Sequence, residues 1–433
     1  MKKTLLFIAT LLASYVGMAQ ETYHPTAENL KAREQFQDDK FGIFLHWGLY
    51  SMMGTTEWIM TNRDINYKEY PKLAKTFYPS EFDADAWVKA IKAAGAKYIT
   101  ITTRHHDGFS LFKTATSTYN SVDGTPFKRD IIKEMADACQ RNGIKLHLYY
   151  SHLDWGREDY PVGRTGTGTG RPKEKANWAS YYKFMNTQLT ELLTNYGKVG
   201  AIWFDGWWDH DSDAKPFDWQ LEEQYALIHK LQPQCLIANN HHHTPFPGED
   251  IQIFERDLPG ENKAGLSGQS IGRLPLESCQ TINEHWGYNI TDTLYKSPKE
   301  LIQMLVRAAG KNANLLLNIG PEPGGALPEL ALNRLQAIGK WLNQYGETIY
   351  GTRGGIIAPH EWGVSTQRGN KLYIHILNCM DSSLFIPTGN HKIKSATVFG
   401  TNKRVNFTKT GNGITLNFDT VPTDIDYIVE LTL

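Results

Sequence analysis

Carboxylates, imidazoles and indoles recur in this chain at the ends of apolar runs. The stretch GAIWFDGWWDH (200–210) closes on Asp205, followed by Gly206 and flanked by Trp203, Trp207 and Trp208. Similar endings are His46-Trp47 in LHWG, His105-His106-Asp107 in RHHDGF, and Tyr149, Tyr150 and His152 in LYYSHLDW. Asn239 to His243 in NNHHH and Glu255 in IFERD complete the set. Glu57, Glu261 and Glu277 lie near neighbouring segments. Two carboxylates flanking a bound sugar are what glycosidic cleavage needs: one attacks carbon or activates water, the other protonates the leaving oxygen. The first must stay ionised, which N–H donors favour. The second needs a raised pKa, which apolar neighbours favour, and Glu255 follows Ile253 and Phe254. A turn or helix cap is the purely structural alternative for Asp205, since Asp-Gly suits a turn. Other chemistries find less support. No G-x-S-x-G elbow is present, and GTGTG lacks a following GK[ST]. The His-His and His-His-His runs suggest a metal-dependent hydrolase. They are adjacent rather than spaced HxH, however, and neighbours on a strand point to opposite faces.

These residues need a scaffold that gathers strand ends. FGIFLHWG (41–48) reads as a buried strand. A helix opened by Asp83 or Asp85 and closed by Gly95 leads to a strand from Lys97; RDIIKEMADACQRNGIKLHLYYS repeats the pattern around Gly143. A helix over 177–195, the strand VGAIWFDG, a further helix–strand pair in FDWQLEEQYALIHKLQPQCLIANN and a short strand at 250–255 follow. Ser297-Pro298 opens another helix, which leads to a strand ending at Gly320, and a last helix spans 328–345. Strand–helix alternation over about 300 residues, with continuously apolar strands, predicts a (β/α)8-like TIM barrel. No GxGxxG follows the first strand, against a dinucleotide fold. Barrel active sites lie at the C-terminal strand ends, where the polar residues fall. Alternation along a strand puts Trp203 on the face of Asp205, and makes Tyr149 rather than Tyr150 the inward tyrosine. After Tyr350 short alternating runs with Gly/Asn/Asp/Pro turns predict a C-terminal β-sandwich. The expected division is a signal peptide at 1–19, a catalytic domain at 20–347 and the sandwich at 348–433. The Gly/Thr-rich tract 156–176 is long for a barrel loop, which marks it as functional or mobile.

The 433 residues carry a formal net charge of −1, so nothing recommends nucleic acid or an anionic membrane as partner. Twelve tryptophans suit either a filled core or sugar-stacking surfaces. MKKTLLFIATLLASYVGMAQ has a basic start, an apolar stretch from Leu5 to Val16 and small residues before Gln20. It reads as a secretory signal cut after Ala19, with the bacterial periplasm as the expected destination. The stretch is short for a membrane span, and no other segment is long and apolar enough to cross one. Cys139, Cys235, Cys279 and Cys379 show no CxxC; free buried thiols are expected, although export permits a disulfide.

Together FGIFLHWGLYS, TEW, TTRHHDGF, YYSHLDW, IWFDG, HWGYN and NANLLLNIGP closely resemble the α-L-fucosidases of glycoside hydrolase family 29, from about Phe41 to Gly354. The resemblance implies a retaining exo-glycosidase on a (β/α)8-like barrel with a β-sandwich, needing no metal or other cofactor and acting on a fucosylated glycan. Asp205 in WFDG matches the family's nucleophile. His46, Glu57, Trp58, His105, His106, Tyr149 and Trp203 match sugar-binding positions, and Trp286 in HWGY an aromatic near the sugar methyl. The acid/base position varies most in the family; Glu255 matches it best, with Glu261 and Glu277 as alternatives. Where the family often has an arginine ahead of the acid, this chain has NNHHH, and His242 is the candidate replacement. A non-catalytic fucose-binding protein on the same scaffold is the third reading; the intact Asp205 speaks against it. Linkage preference and oligomeric state are not encoded in these motifs.

Overall fold

The computed structural model describes residues 23–401 and 403–433, so the expected signal peptide lies outside the described residues. Eight parallel strands form one sheet: β1 (Phe41–Leu45), β2 (Tyr98–Arg104), β3 (Lys145–Ser151), β4 (Ala201–Asp205), β5 (Leu236–Asn239), β6 (Gln252–Glu255), β7 (Leu276–Thr281) and β8 (Ala313–Ile319). Their order, β5-β4-β3-β2-β1-β8-β7-β6, runs almost full circle. β5 and β6 meet through a single parallel bridge, Ala238 to Ile251, with the N–H groups of Asp250 and Ile251 on the Ile237 carbonyl. The sheet is therefore a nearly closed barrel.

The helices begin and end where the sequence signals stand. Asp83, Asp130 and Asn177 cap the helices Ala84–Ala93, Ile131–Asn142 and Trp178–Asn195, each accepting an N–H from the first turn. Ser297 and Glu300 form a capping box on Pro298–Gly310. The alternation fails after β5. Residues 240–251 and 256–275 are loops, the second holding four glycines and two prolines with no apolar period. β7, unforeseen in sequence, is short and carries Glu277, Ser278 and Gln280 among its apolar residues. The helix Ala27–Asp39 was also unforeseen; it presents Phe36 to the N-terminal end of the barrel, 5.4 Å from the Tyr98 ring.

Inside the barrel, Phe44, Tyr98, Tyr149, Ala201, Trp203, Ala238, Ile253, Cys279 and Leu316 form one packed cluster. These are the inward positions that alternation selects. Two antiparallel sheets, of five and three strands, follow between Arg353 and Thr432 and share a core that includes Leu372, Ile374, Ile414, Leu416 and Val429. They form the expected sandwich. It is fastened to the barrel: Gln303 donates to the carbonyls of Leu377 and Ile425, and Val364 and Tyr373 join the barrel's helical core. All four cysteines are unpaired.

Gly42 on β1 faces the Tyr98 ring, and a Cβ there would sit 2.3 Å from it. Gly42→Ala is expected to cost about 1–3 kcal/mol by overpacking, read as a lower denaturant midpoint with an unchanged slope.

Candidate active site

The C-terminal strand ends converge on a cavity of about 180 Å³. His46, Glu57, Trp58, His105, Trp203, Asp205, Glu255 and Trp286 line it, with Phe44, Arg164, Trp208, Asn240, His242 and Leu266. A larger groove of about 680 Å³ lies at the opposite end of the barrel, where Asp39 and Lys145 form an ion pair; none of the strand-end residues reaches it.

Asp205 ends β4. Gly206, at φ 93°, turns the chain sharply, and a Cβ there would crowd Leu153 at 3.0 Å. Donors surround the carboxylate. Oδ1 accepts from the Gly206 N–H at 2.8 Å, Trp208 Nε1 at 3.0 Å and Asn240 Nδ2 at 3.4 Å. Oδ2 accepts from the Tyr149 hydroxyl at 3.0 Å, with His106 Nε2 at 3.5 Å. Burial pushes its pKa up, but His106, Trp208 and the charge of His242 outweigh that and hold it at about 2. Burial also pushes the Tyr149 phenol well above its ordinary value, so Tyr149 stays a donor.

Glu255 ends β6. Its Oε2 accepts from Asn240 Nδ2 at 2.8 Å and from His242 Nε2 at 2.9 Å. Asn240 Nδ2 thus bridges the two carboxylates. Asp205 Oδ1 and Glu255 Oε2 are no farther apart than those two Asn240 contacts laid end to end, which is less than the roughly 6.5 Å at which inverting pairs begin.

Imidazoles, Glu57 and indoles line the rest. His46 Nδ1 donates to Asn318 Oδ1 at 2.7 Å; the Asn318 amide is oriented by its own bond to the Trp286 carbonyl, so His46 Nε2 is left as an acceptor. Burial pulls His46 down to about 4 and His105 well below its usual range. Glu57 Oε2 accepts from the Gly287 N–H at 2.9 Å, which leaves Oε1 to the cavity. Trp58 stacks on Trp208 with ring centres 5.5 Å apart.

Several sequence expectations need correction. His105 and His106 lie past the end of β2, so strand alternation does not separate them; His105 lines the cavity and His106 reaches Asp205, with their ring centres 4.2 Å apart. A register irregularity between Thr102 and Arg104 precedes them. The other histidines do diverge: His241 is held by Glu249 and His242 by Glu255. No group of three or more potential metal ligands occurs among the described residues. Glu277 is not at the rim. It is fully buried inside the barrel, accepting from Tyr98 at 2.7 Å and Trp203 Nε1 at 2.9 Å. Glu261 is clamped by Lys263 and Lys311, outside the cavity. His152 and Tyr150 point outward to Gln224 and Gln188. Arg164 was not foreseen. It comes from the Gly/Thr-rich loop, which is docked by Thr165 on Asp209 and by the Gly166 N–H on Thr61. Asn240 shares the parity of inward Ala238, a signal that was present but unused.

The profile of the α-L-fucosidase family matches residues 10–347. The chain belongs to the α-L-fucosidase family. Plasma α-L-fucosidase of Rattus norvegicus is 30% identical, over 85% of this chain and 83% of the relative. Among solved structures, α-L-fucosidase isoenzyme 1 from Paenibacillus thiaminolyticus superposes with a TM-score of 0.83 at 35% identity, covering 94% of this chain and 99% of that one. The family-29 α-L-fucosidase of Bacteroides thetaiotaomicron, trapped as a covalent intermediate with 2-fluoro-fucosyl fluoride, gives 0.80 at 28% identity, over 93% and 96% of the two chains.

Within this α-L-fucosidase barrel, burial raises Glu277 to about 7, against its bonds from Tyr98 and Trp203. The folded state therefore favours the neutral acid. That contribution is complete below the unfolded value of about 4.3 and is lost as pH rises through about 7. Glu277→Gln is expected to flatten this loss of thermal stability between pH 5 and 8, measured as the difference in melting curves from the parent.

Proposed function

We propose that this chain releases terminal L-fucose from fucosylated glycans with net retention, Asp205 acting as nucleophile and Glu255 as acid/base. The observation that carries the reading is the shared Asn240 amide. It holds two carboxylates within one cavity that admits a single sugar ring, one of them surrounded by donors and ionised.

In the first step an Asp205 oxygen bonds to the anomeric carbon as the glycosidic C–O bond breaks, and the Glu255 proton passes to the leaving oxygen. With Oε2 occupied by two N–H donors, Oε1 is the proton-bearing oxygen. In the second step Glu255 takes a proton from water, the water oxygen bonds to the anomeric carbon and the Asp205 ester breaks. Two inversions release α-fucose first. His46 Nε2, His105 and Glu57 Oε1 supply acceptors and donors for the sugar hydroxyls, while Phe44 and Trp286 present an apolar wall to its methyl group. The cavity's closed floor of Trp203 and Phe44 supports exo action. The basic and apolar N-terminal tract supports export, with the periplasm as the proposed compartment.

On an aryl fucoside, Asp205→Asn is expected to lower kcat by at least about 10³-fold. Glu255→Ala is expected to lower kcat on glycosides by about 10²–10⁴-fold, with azide restoring turnover as fucosyl azide. Azide rescue of Glu261→Ala or Glu277→Ala instead would reassign the acid. The acceptor role of His46 requires it neutral, so kcat/KM is expected to fall as pH drops through about 4. A profile flat to pH 3 would contradict that role.

A further inference from the structure

The wall that carries Asp205 continues past the pocket. Gly206 turns the chain into the short 3₁₀ segment Trp207–His210. At about 120° per residue, Trp208 enters the cavity and Trp207 turns away from it. The half-buried Trp207 ring meets His243 at 5.1 Å and Phe246 at 5.5 Å, and His243 and Phe246 lie nearly parallel, 22° apart. His243 is exposed and Phe246 half-buried, so the three rings form a shelf open to solvent.

The shelf is rigidly founded. Glu249 is buried beneath it, accepting from the Tyr225 hydroxyl at 3.0 Å, from His241 Nε2 at 3.1 Å and from the Phe246 N–H at 3.0 Å. His241 in turn packs on the Phe246 ring at 4.2 Å and accepts the His243 N–H. A buried carboxylate thus fixes the loop that carries two of the three rings.

Its position and chemistry select an occupant. His243 directly follows His242, the donor to Glu255, so the shelf adjoins the acid side of the cavity, where the leaving sugar departs. Among the described residues, Trp207 Nε1 and both ring nitrogens of His243 have no hydrogen-bond partner, so ring faces are combined with free polar edges. Burial and the neighbouring imidazoles His241 and His242 lower the proton affinity of His243. A neutral pyranose fits such a surface: its C–H face covers an aromatic ring while its hydroxyls bond the edges. We propose that Trp207, His243 and Phe246 form an aglycone subsite that stacks the neutral hexose to which the fucose is attached. This rests on the catalytic reading above, which fixes the leaving-group side.

The test compares kcat/KM on the best-cleaved neutral fucosylated trisaccharide with kcat/KM on an aryl fucoside, in the parent, Trp207→Ala, Trp207→Phe and His243→Ala. The trisaccharide-to-aryl ratio is expected to fall about tenfold in Trp207→Ala, carried by KM, less in His243→Ala, and to be largely kept in Trp207→Phe. A ratio within about twofold of the parent in both alanine variants overturns the subsite. Saturation-transfer NMR with the defucosylated disaccharide separates this from the catalytic reading, because it needs no turnover. Ring-face signals in the parent that vanish in Trp207→Ala support the shelf; their absence in the parent overturns it. Failure of the parent to cleave any fucoside would overturn the catalytic reading instead.

Discussion

A carboxylate kept ionised against its own burial is the constraint on which this site depends. Removing Asp205 from water favours the neutral acid. Five groups surround the carboxylate, the Gly206 N–H, Trp208, Asn240, Tyr149 and His106, and of these His106 and Trp208, with the charge of His242, reverse that preference. They are delivered to one point by the ends of β2, β3, β4 and β5, and a parallel barrel does this by construction. The glycine that lets the chain turn after β4 is part of the same solution, since its N–H is one of the five.

The second carboxylate differs by environment rather than by type. Glu255 takes its two N–H donors on a single oxygen, which leaves the other free for a proton. Asn240 serves both carboxylates at once, so a movement of its amide would disturb Asp205 and Glu255 together. This coupling gives the β5–β6 segment its importance. That segment has no covering helix, and the loop in its place brings Asn240, His242 and the rings beyond them to the rim.

Much of this was legible in the sequence where the signal is local. Asp83 or Asp85 and Ser297-Pro298 marked helix starts, and alternation separated Tyr149 from Tyr150 and paired Trp203 with Asp205. Signals failed where the cause is distant. β7 lacks an apolar run because Glu277 is satisfied by Tyr98 and Trp203 from other strands, partners no short pattern reveals. Arg164 arrives on a loop held by Asp209 and Thr61, far away in the chain. His105 and His106 defeated the alternation rule because the strand had already ended.

The central claim is that Asp205 is the group that bonds to the sugar. Peptide mapping by mass spectrometry after inactivation with 2-fluoro-fucosyl fluoride tests it most directly. The account predicts a single 2-fluoro-fucosyl adduct, on the peptide containing Asp205 and localised to that residue by fragmentation. An adduct on Glu255 or any other side chain, with Asp205 unmodified, would contradict it.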